Sequence, residues 1–68
     1  MINHKKLKAA RIEAGYKLRG IALEVGVSHQ AIHQYESGKI IPSIEVLKRL
    51  CAVLRLDANE ILMTKEGK

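Results

Sequence analysis

Gly26 separates two short segments of helical periodicity, and this arrangement constrains the fold more than any other feature of the chain. Apolar residues recur at helical spacing over residues 18–25 before the glycine and over residues 28–35 after it. A glycine accepts a left-handed backbone conformation without strain, so it can end one helix and turn the chain into the next. The second segment carries amide and imidazole side chains on the face that should meet solvent. The sequence therefore predicts two helices joined by a tight turn, the second with a polar outer face.

The remainder of the chain also has helical periodicity, interrupted by Gly15, Gly38 and Pro42. Ser28 and Ser43 are good N-caps, and residues 57–60 (Asp-Ala-Asn-Glu) resemble a capping box. Nowhere does strand-type alternation coincide with turn signals. We expect an all-α fold in a single domain over residues 1–68, with helices over about residues 3–14, 18–25, 28–36, 43–54 and 57–63. The fourth helix has the cleanest apolar stripe, formed by Ile44, Leu47, Leu50, Cys51 and Leu54.

Composition narrows the possible partners and compartments. The chain has 68 residues and neither Phe nor Trp, so its core must be aliphatic and, at this size, only marginally stable. The single cysteine cannot form an internal disulfide, and no apolar run approaches the ~20 residues of a membrane span. The net charge of +5 favours a polyanionic partner. We therefore expect a cytoplasmic protein with no membrane partner.

A series of markers lies at characteristic spacing along residues 7–62, in this order: Leu7, Arg11, Gly15, Ile21-Ala22, Gly26-Val27-Ser28, Ile32, Tyr35-Glu36-Ser37-Gly38-Lys39 and Pro42-Ser43. With these markers the chain resembles the Xre-type helix-turn-helix domains of phage repressors, Cro proteins and many bacterial regulators. The resemblance implies a compact five-helix bundle of the lambda-repressor-like DNA-binding type, in which helices 2 and 3 form the helix-turn-helix. It also implies a structural ion pair between Arg11 in the first helix and Glu36 at the end of the third.

The resemblance further implies a sequence-specific, DNA-binding transcriptional regulator that inserts helix 3 into the major groove of a pseudo-palindromic operator. Repression is the more common use of such small domains. The positions that would contact base edges are Ser28, His29, Gln30, His33 and Gln34. The positions that would contact phosphates are Lys17, Arg19, Ser37, Gly38 and Lys39. A Gln amide can pair bidentately with adenine, and a neutral His ring can donate or accept a hydrogen bond, so these side chains suit base contact.

Two positions depart from the family pattern at the start of the second helix. Leu18 stands where a phosphate-binding Gln is common, and Lys17 stands where a Ser or Thr cap is common. Two alternatives follow: the cap and the phosphate contact are both absent, or Lys17 and Arg19 replace the phosphate contact. In either case Leu18 would pack against Tyr16 or a partner.

His29 and His33 lie one helical turn apart, which is also the spacing of a metal-binding pair. Gln30 replaces the glutamate that would act as general base in such a motif, and no third ligand stands at a suitable position. The sequence also lacks the order of a catalytic triad, paired carboxylates and a phosphate-binding glycine loop. We therefore expect no metal site, no cofactor, no small-molecule substrate and no enzymatic activity. Cys51 is expected to be a buried, inert thiol.

The expected partners are double-stranded DNA, in the nucleoid, and a second copy of the chain. The homodimer would form through the helix 4–5 region, where apolar residues crowd together: Leu54, Leu56, Ile61, Leu62 and Met63. Two alternatives stay open. The same bundle could serve as a protein-interaction or dimerisation module, or the chain could be the DNA-binding head of a longer multidomain protein.

Overall fold

Five α-helices follow one another in the computed structural model, which describes residues 2–61. They are α1 (His4–Glu13), α2 (Leu18–Val25), α3 (His29–Ser37), α4 (Ile44–Leu54) and α5 (Ala58–Ile61). The predicted all-α, five-helix fold is confirmed, and the bounds of α1 to α4 differ from the predicted ones by at most one residue. Residues 62 and 63, which the sequence assigned to the last helix, lie outside the described residues. None of the five helices is long and apolar enough to cross a membrane.

Local hydrogen bonds explain where the helices begin. Ser28 Oγ and Ser43 Oγ each accept from the backbone N–H three residues later, at 3.0 Å and 3.2 Å, so both serines are the predicted N-caps. The capping box at α5 is also present, because Asp57 N–H donates to Glu60 Oε2 at 3.1 Å. These bonds satisfy donors that a helix leaves without acceptors at its N-terminus.

The helix ends depend on left-handed residues. Gly26 and Gly38 end α2 and α3 with φ values of +86° and +82°. At the end of α4 the same conformation falls on Arg55, with φ of +57°. No sequence signal predicts this third case, because arginine has no preference for a left-handed backbone.

The core is built around α2, which packs against both α3 and α4, and α1 closes it from the side of α3. Its largest fully buried side chains are Leu7, Ile21, Val25, Ile32, Leu50 and Ile61. Ala22 is also buried, on the face of α2 that packs against the rest of the bundle. The N-terminal residues join this core, since Ile2 is buried and Asn3 N–H donates to Ile61 O at 2.7 Å. The start of α1 is thereby fastened to the end of α5.

The apolar stripe of α4 is shorter than the sequence predicted. Leu47, Leu50, Cys51 and Leu54 are buried, but Ile44 is 66% exposed. Ile44 is the first residue of the helix and lies beyond the end of its packed face. Burial raises the pKa of the Cys51 thiol, and the negative charges of Asp57 and Glu60 raise it further.

The predicted dimer surface at the end of α4 and α5 needs a correction. Leu54 and Ile61 are only 8% and 0% exposed, so they belong to the core of the single chain and cannot also form an outer surface. Leu56 is half-buried and packs against the same core. The other two predicted members, Leu62 and Met63, lie outside the described residues.

Candidate nucleic-acid interface

The two faces of α3 differ sharply in burial. Ile32 and Tyr35 point into the core, whereas Gln30 and His33 are exposed on the opposite side. All five residues predicted to contact bases line one shallow groove on this outer side, together with three further residues. The lining consists of Leu18, Ser28, His29, Gln30, His33, Gln34, Ser37 and Lys39. The structure thus brings the predicted base-contacting residues together on one continuous surface.

An ion pair fixes α3 against α1. Arg11 Nε donates to Glu36 Oε2 at 2.6 Å, and Arg11 Nη2 donates to Glu36 Oε1 at 3.2 Å. The side chains are only 11% and 4% exposed, so the pair is shielded from water. Arg11 Nη1 also donates to the carbonyl of Tyr16 at 2.8 Å, which ties in the turn before α2. One guanidinium therefore orients the outer face of α3 relative to α1 and α2.

The turn after α3 directs its main-chain donors back into the helix. Lys39 N–H donates to Gln34 O at 3.0 Å, and Gly38 N–H donates to Tyr35 O at 3.3 Å. The hydroxyl of Ser37 donates to the same Gln34 oxygen at 3.1 Å. Because these donors are engaged within the protein, the exposed Lys39 ammonium is the group best placed to meet a phosphate here.

The start of α2 forms the other border of the groove. Lys17 takes the N-cap position with no side-chain cap hydrogen bond, so the helix cap is missing, one of the outcomes that the sequence left open. Lys17, Leu18 and Arg19 line one open depression together with Arg11 and His29. The two cations that were predicted to replace the phosphate contact therefore lie beside the N-terminal end of α3.

Two residues of this region make contacts beyond those that the sequence predicted. Leu18 packs partly against the core and also lines the groove beside His33, where an apolar side chain interrupts a polar surface. His4 contacts the C-terminal end of α3 from the first turn of α1, with its Nδ1 atom 3.0 Å from Glu36 O. Nothing in the sequence pattern could indicate the contact between His4 and Glu36, because the two residues are 32 positions apart.

Among the residues that the structure describes, no third potential metal ligand groups with His29 and His33 of α3. Over residues 2–61, no three or more His, Cys, Asp or Glu side chains group in a way that could hold a metal ion. His33 is exposed and His29 is half-buried, and both line the groove. Their position on the same surface as Gln30 and Gln34 suits hydrogen bonding to a polar ligand outside the protein.

Comparison with known proteins gives consistent matches. The family described as Helix-turn-helix matches residues 7–61. A protein of Pyrococcus horikoshii named as an HTH-type transcriptional regulatory protein, PH1808, is 43% identical over 96% of this chain and 24% of its own length. The ImmF control region 10 kDa protein of Bacillus phage phi105 is 32% identical over 96% of this chain and 77% of the phage protein. The chain thus spans about a quarter of the Pyrococcus horikoshii relative and most of the phage one.

The fold also matches solved structures. The P22 c2 repressor, in a crystal structure with a synthetic operator, superposes with a TM-score of 0.85 and is 26% identical. The superposition covers 91% of this chain and 94% of the repressor chain. The bundle described above is therefore similar, over nearly all of its length, to a repressor crystallised with a synthetic operator.

Proposed function

This chain belongs to the helix-turn-helix family, and we propose that it is a sequence-specific DNA-binding transcriptional regulator whose α3 enters the major groove. The resemblance to Xre-type domains is confirmed by the family match and by the similarity to a phage repressor. The observation that carries the proposal is the groove on α3, where the side chains expected to contact bases line a single surface. The net charge of +5 favours association with the DNA backbone.

We assign base contact to the outer face of α3. Gln30 and His33 are exposed and can reach base edges, and His29 and Gln34 are half-buried beside them. A Gln amide pairs well with adenine N6 and N7 in the major groove. Ser28 uses its hydroxyl oxygen to accept from the N–H of Ala31, so its contribution is to hold the N-terminus of α3 towards the DNA.

We assign phosphate contact to the cations on both borders of the groove. Lys17 and Arg19 lie at the start of α2, and Lys39 lies after α3. Ser37 and Gly38 belong to the same phosphate-facing turn, but their donors bond within the protein, so Lys39 provides most of the attraction there. Such contacts set affinity and register and carry little sequence information.

We further propose that two copies bind a pseudo-palindromic operator, with half-sites about one helical turn (~34 Å) apart, and that the result is repression. The similarity to a repressor and to a phage control-region protein supports this use of the domain. Because Leu54 and Ile61 are buried, a dimer surface at the end of α4 and α5 would depend on Leu56 and on residues beyond Ile61.

A second candidate function is a protein-interaction module. Three exposed isoleucines, Ile40, Ile41 and Ile44, lie within five positions of one another between α3 and α4. Their exposed fractions are 45%, 63% and 66%, so this segment offers apolar surface to a partner protein. Binding of such a partner would be insensitive to substitution of Gln30 and sensitive to substitution of Ile44.

Selection of bound sequences from a random duplex pool separates the two functions. The selected duplex is then titrated against a scrambled duplex at two salt concentrations. A DNA regulator should enrich a pseudo-palindrome and prefer it by at least ~100-fold over the scrambled sequence. Absence of enrichment, with weak binding that falls equally for all duplexes as salt rises, would contradict the proposed function and favour the interaction module.

A further inference from the structure

His4 joins the beginning of α1 to the end of α3. It is the first residue of α1, and the residue before it, Asn3, caps that helix by accepting from Lys6 N–H at 3.1 Å. Asn3 N–H is itself held by Ile61 O at 2.7 Å. Two hydrogen bonds of the neighbouring Asn3 therefore hold the backbone at His4, and neither of them involves the His4 ring.

The first contact of the His4 ring is with a carbonyl at the C-terminus of α3. His4 Nδ1 lies 3.0 Å from Glu36 O, and with the proton on Nδ1 it donates to that oxygen. A helix leaves its last carbonyl groups without helical donors, and the N–H of Ile40, which a continued helix would direct to Glu36 O, donates to Gln34 O instead. His4 thus supplies a donor for a carbonyl that the end of α3 leaves open.

The second contact of the ring is with the turn itself. A Cβ atom placed on Gly38 would lie 3.0 Å from both Cδ2 and Nε2 of His4. The ring therefore packs directly against the backbone of Gly38, in the space that any other residue would need. The hydrogen bond and this packing contact restrain the same short segment, residues 36–38.

We propose that His4 is a positioning residue for DNA binding: through Glu36 O and Gly38 it holds the turn that presents Lys39 to a phosphate. This inference rests on the proposed function. His4 does not line the groove, so its loss should loosen the turn without changing any base contact. The expected result is a loss of affinity that is the same for operator and for random DNA.

Two substitutions separate the hydrogen bond from general structural loss. His4→Ala removes the donor and the ring, whereas His4→Asn keeps an amide N–H that can occupy nearly the place of Nδ1. We expect His4→Ala to weaken binding to operator and to random duplex by about fivefold each, as for the loss of one hydrogen bond. We expect His4→Asn to recover most of that affinity. Thermal unfolding of each variant identifies a temperature at which all three proteins are folded, and binding is measured there.

Hydrogen exchange of the Lys39 amide, which bonds to Gln34 O at 3.0 Å, reports on the turn without DNA. It should be faster in His4→Ala than in the original protein and close to the original rate in His4→Asn. If the original protein binds its selected operator and His4→Ala binds it equally well, the positioning role is wrong and the proposed function stands. If the original protein binds no duplex, the proposed function is wrong. In that case the exchange of the Lys39 amide still tests His4, because an unchanged rate in His4→Ala would overturn its role in holding the turn.

Discussion

Arg11 and Glu36 form a two-point ion pair between α1 and the end of α3, with Nε–Oε2 and Nη2–Oε1 distances of 2.6 Å and 3.2 Å. Both carboxylate oxygens are engaged, and the Glu36 side chain is 4% exposed. The pair joins α1 to the end of α3, the helix that carries the polar face. Its importance can be measured as stability, independently of any DNA.

Removing one partner should be strongly destabilising. We expect Arg11→Ala to lower the free energy of unfolding by about 3–5 kcal/mol, because the Glu36 carboxylate would remain buried without its cation. Urea denaturation measures this loss. The control is Glu45→Gln, which breaks an exposed i,i+4 pair with Arg49 at 3.5 Å and should cost no more than about 0.5 kcal/mol. Equal effects of the two substitutions would show that the buried pair has no special role.

Gln30 should contribute to the sequence specificity of DNA binding. Gln30→Ala is expected to cost about 1–3 kcal/mol at one base position and to relax specificity there, because the amide is exposed on the outer face of α3. Binding titrations against operator variants with single base changes would identify that position. Equal losses on operator and random DNA would contradict base contact by Gln30.

Lys39→Ala should weaken binding to all duplexes alike and reduce the slope of log affinity against log salt by about one. The reason is the loss of one phosphate contact at the turn after α3. Lys48→Ala is the matched control, since Lys48 is an exposed lysine on α4 that does not line the groove. If the slope of log affinity against log salt is the same for both variants, the proposed phosphate contact of Lys39 is wrong.

Gly38 and Gly15 share a left-handed backbone but differ in their surroundings. Their φ values are +82° and +84°, yet a Cβ on Gly38 would meet the His4 ring at 3.0 Å, whereas a Cβ on Gly15 would meet nothing within 4 Å. We expect Gly15→Ala to cost roughly 1–2 kcal/mol, from backbone strain alone, and Gly38→Ala to cost clearly more. Thermal unfolding compares the two. In a His4→Ala background the excess cost of Gly38→Ala should shrink, and an unchanged excess would disprove the steric contact.

Cys51 should make stability depend on pH in the alkaline range. Its raised pKa means that the folded protein holds the thiol proton more tightly than the unfolded chain does. The contribution of the protonated thiol to the free energy of unfolding is complete below the ordinary thiol pKa. It is lost as the pH rises through the raised pKa of the folded protein, because the thiol of the unfolded chain ionises first. Urea denaturation at several pH values should show a steeper alkaline decline for the original protein than for Cys51→Ala. Identical declines would indicate that the thiol ionises equally easily in both states.

The helices could be predicted from the sequence because their boundaries depend on neighbouring residues. Ser28 and Ser43 accept from N–H groups three residues away, and Gly38 provides the backbone conformation that ends α3. Residues on one face of one helix necessarily lie together, so His29, Gln30, His33 and Gln34 could be grouped before the structure was known. Arg55 shows the limit of such reasoning, since it adopts a left-handed conformation that its residue type does not favour.

Two residues predicted for the dimer surface, Leu54 and Ile61, are buried instead, because burial is a property of the assembled bundle. Leu54 and Ile61 have the same apolar character as exposed Ile44, and only the packing of α4 with α2 and α5 places the first two in the core. The family resemblance implied the pairing of Arg11 with Glu36, but local spacing alone could not, because the two residues are 25 positions apart.

The sequence by itself therefore determined the helices, the N-terminal caps of α3, α4 and α5, and the polar face of α3, all of which follow from interactions over three or four positions. Only the tertiary structure decided which apolar residues are buried, how the borders of the groove are assembled, and that His4 contacts Glu36 and Gly38. The physical reason is that burial of the aliphatic core brings distant segments of the chain together. The residues that then come into contact have no regular spacing in the sequence.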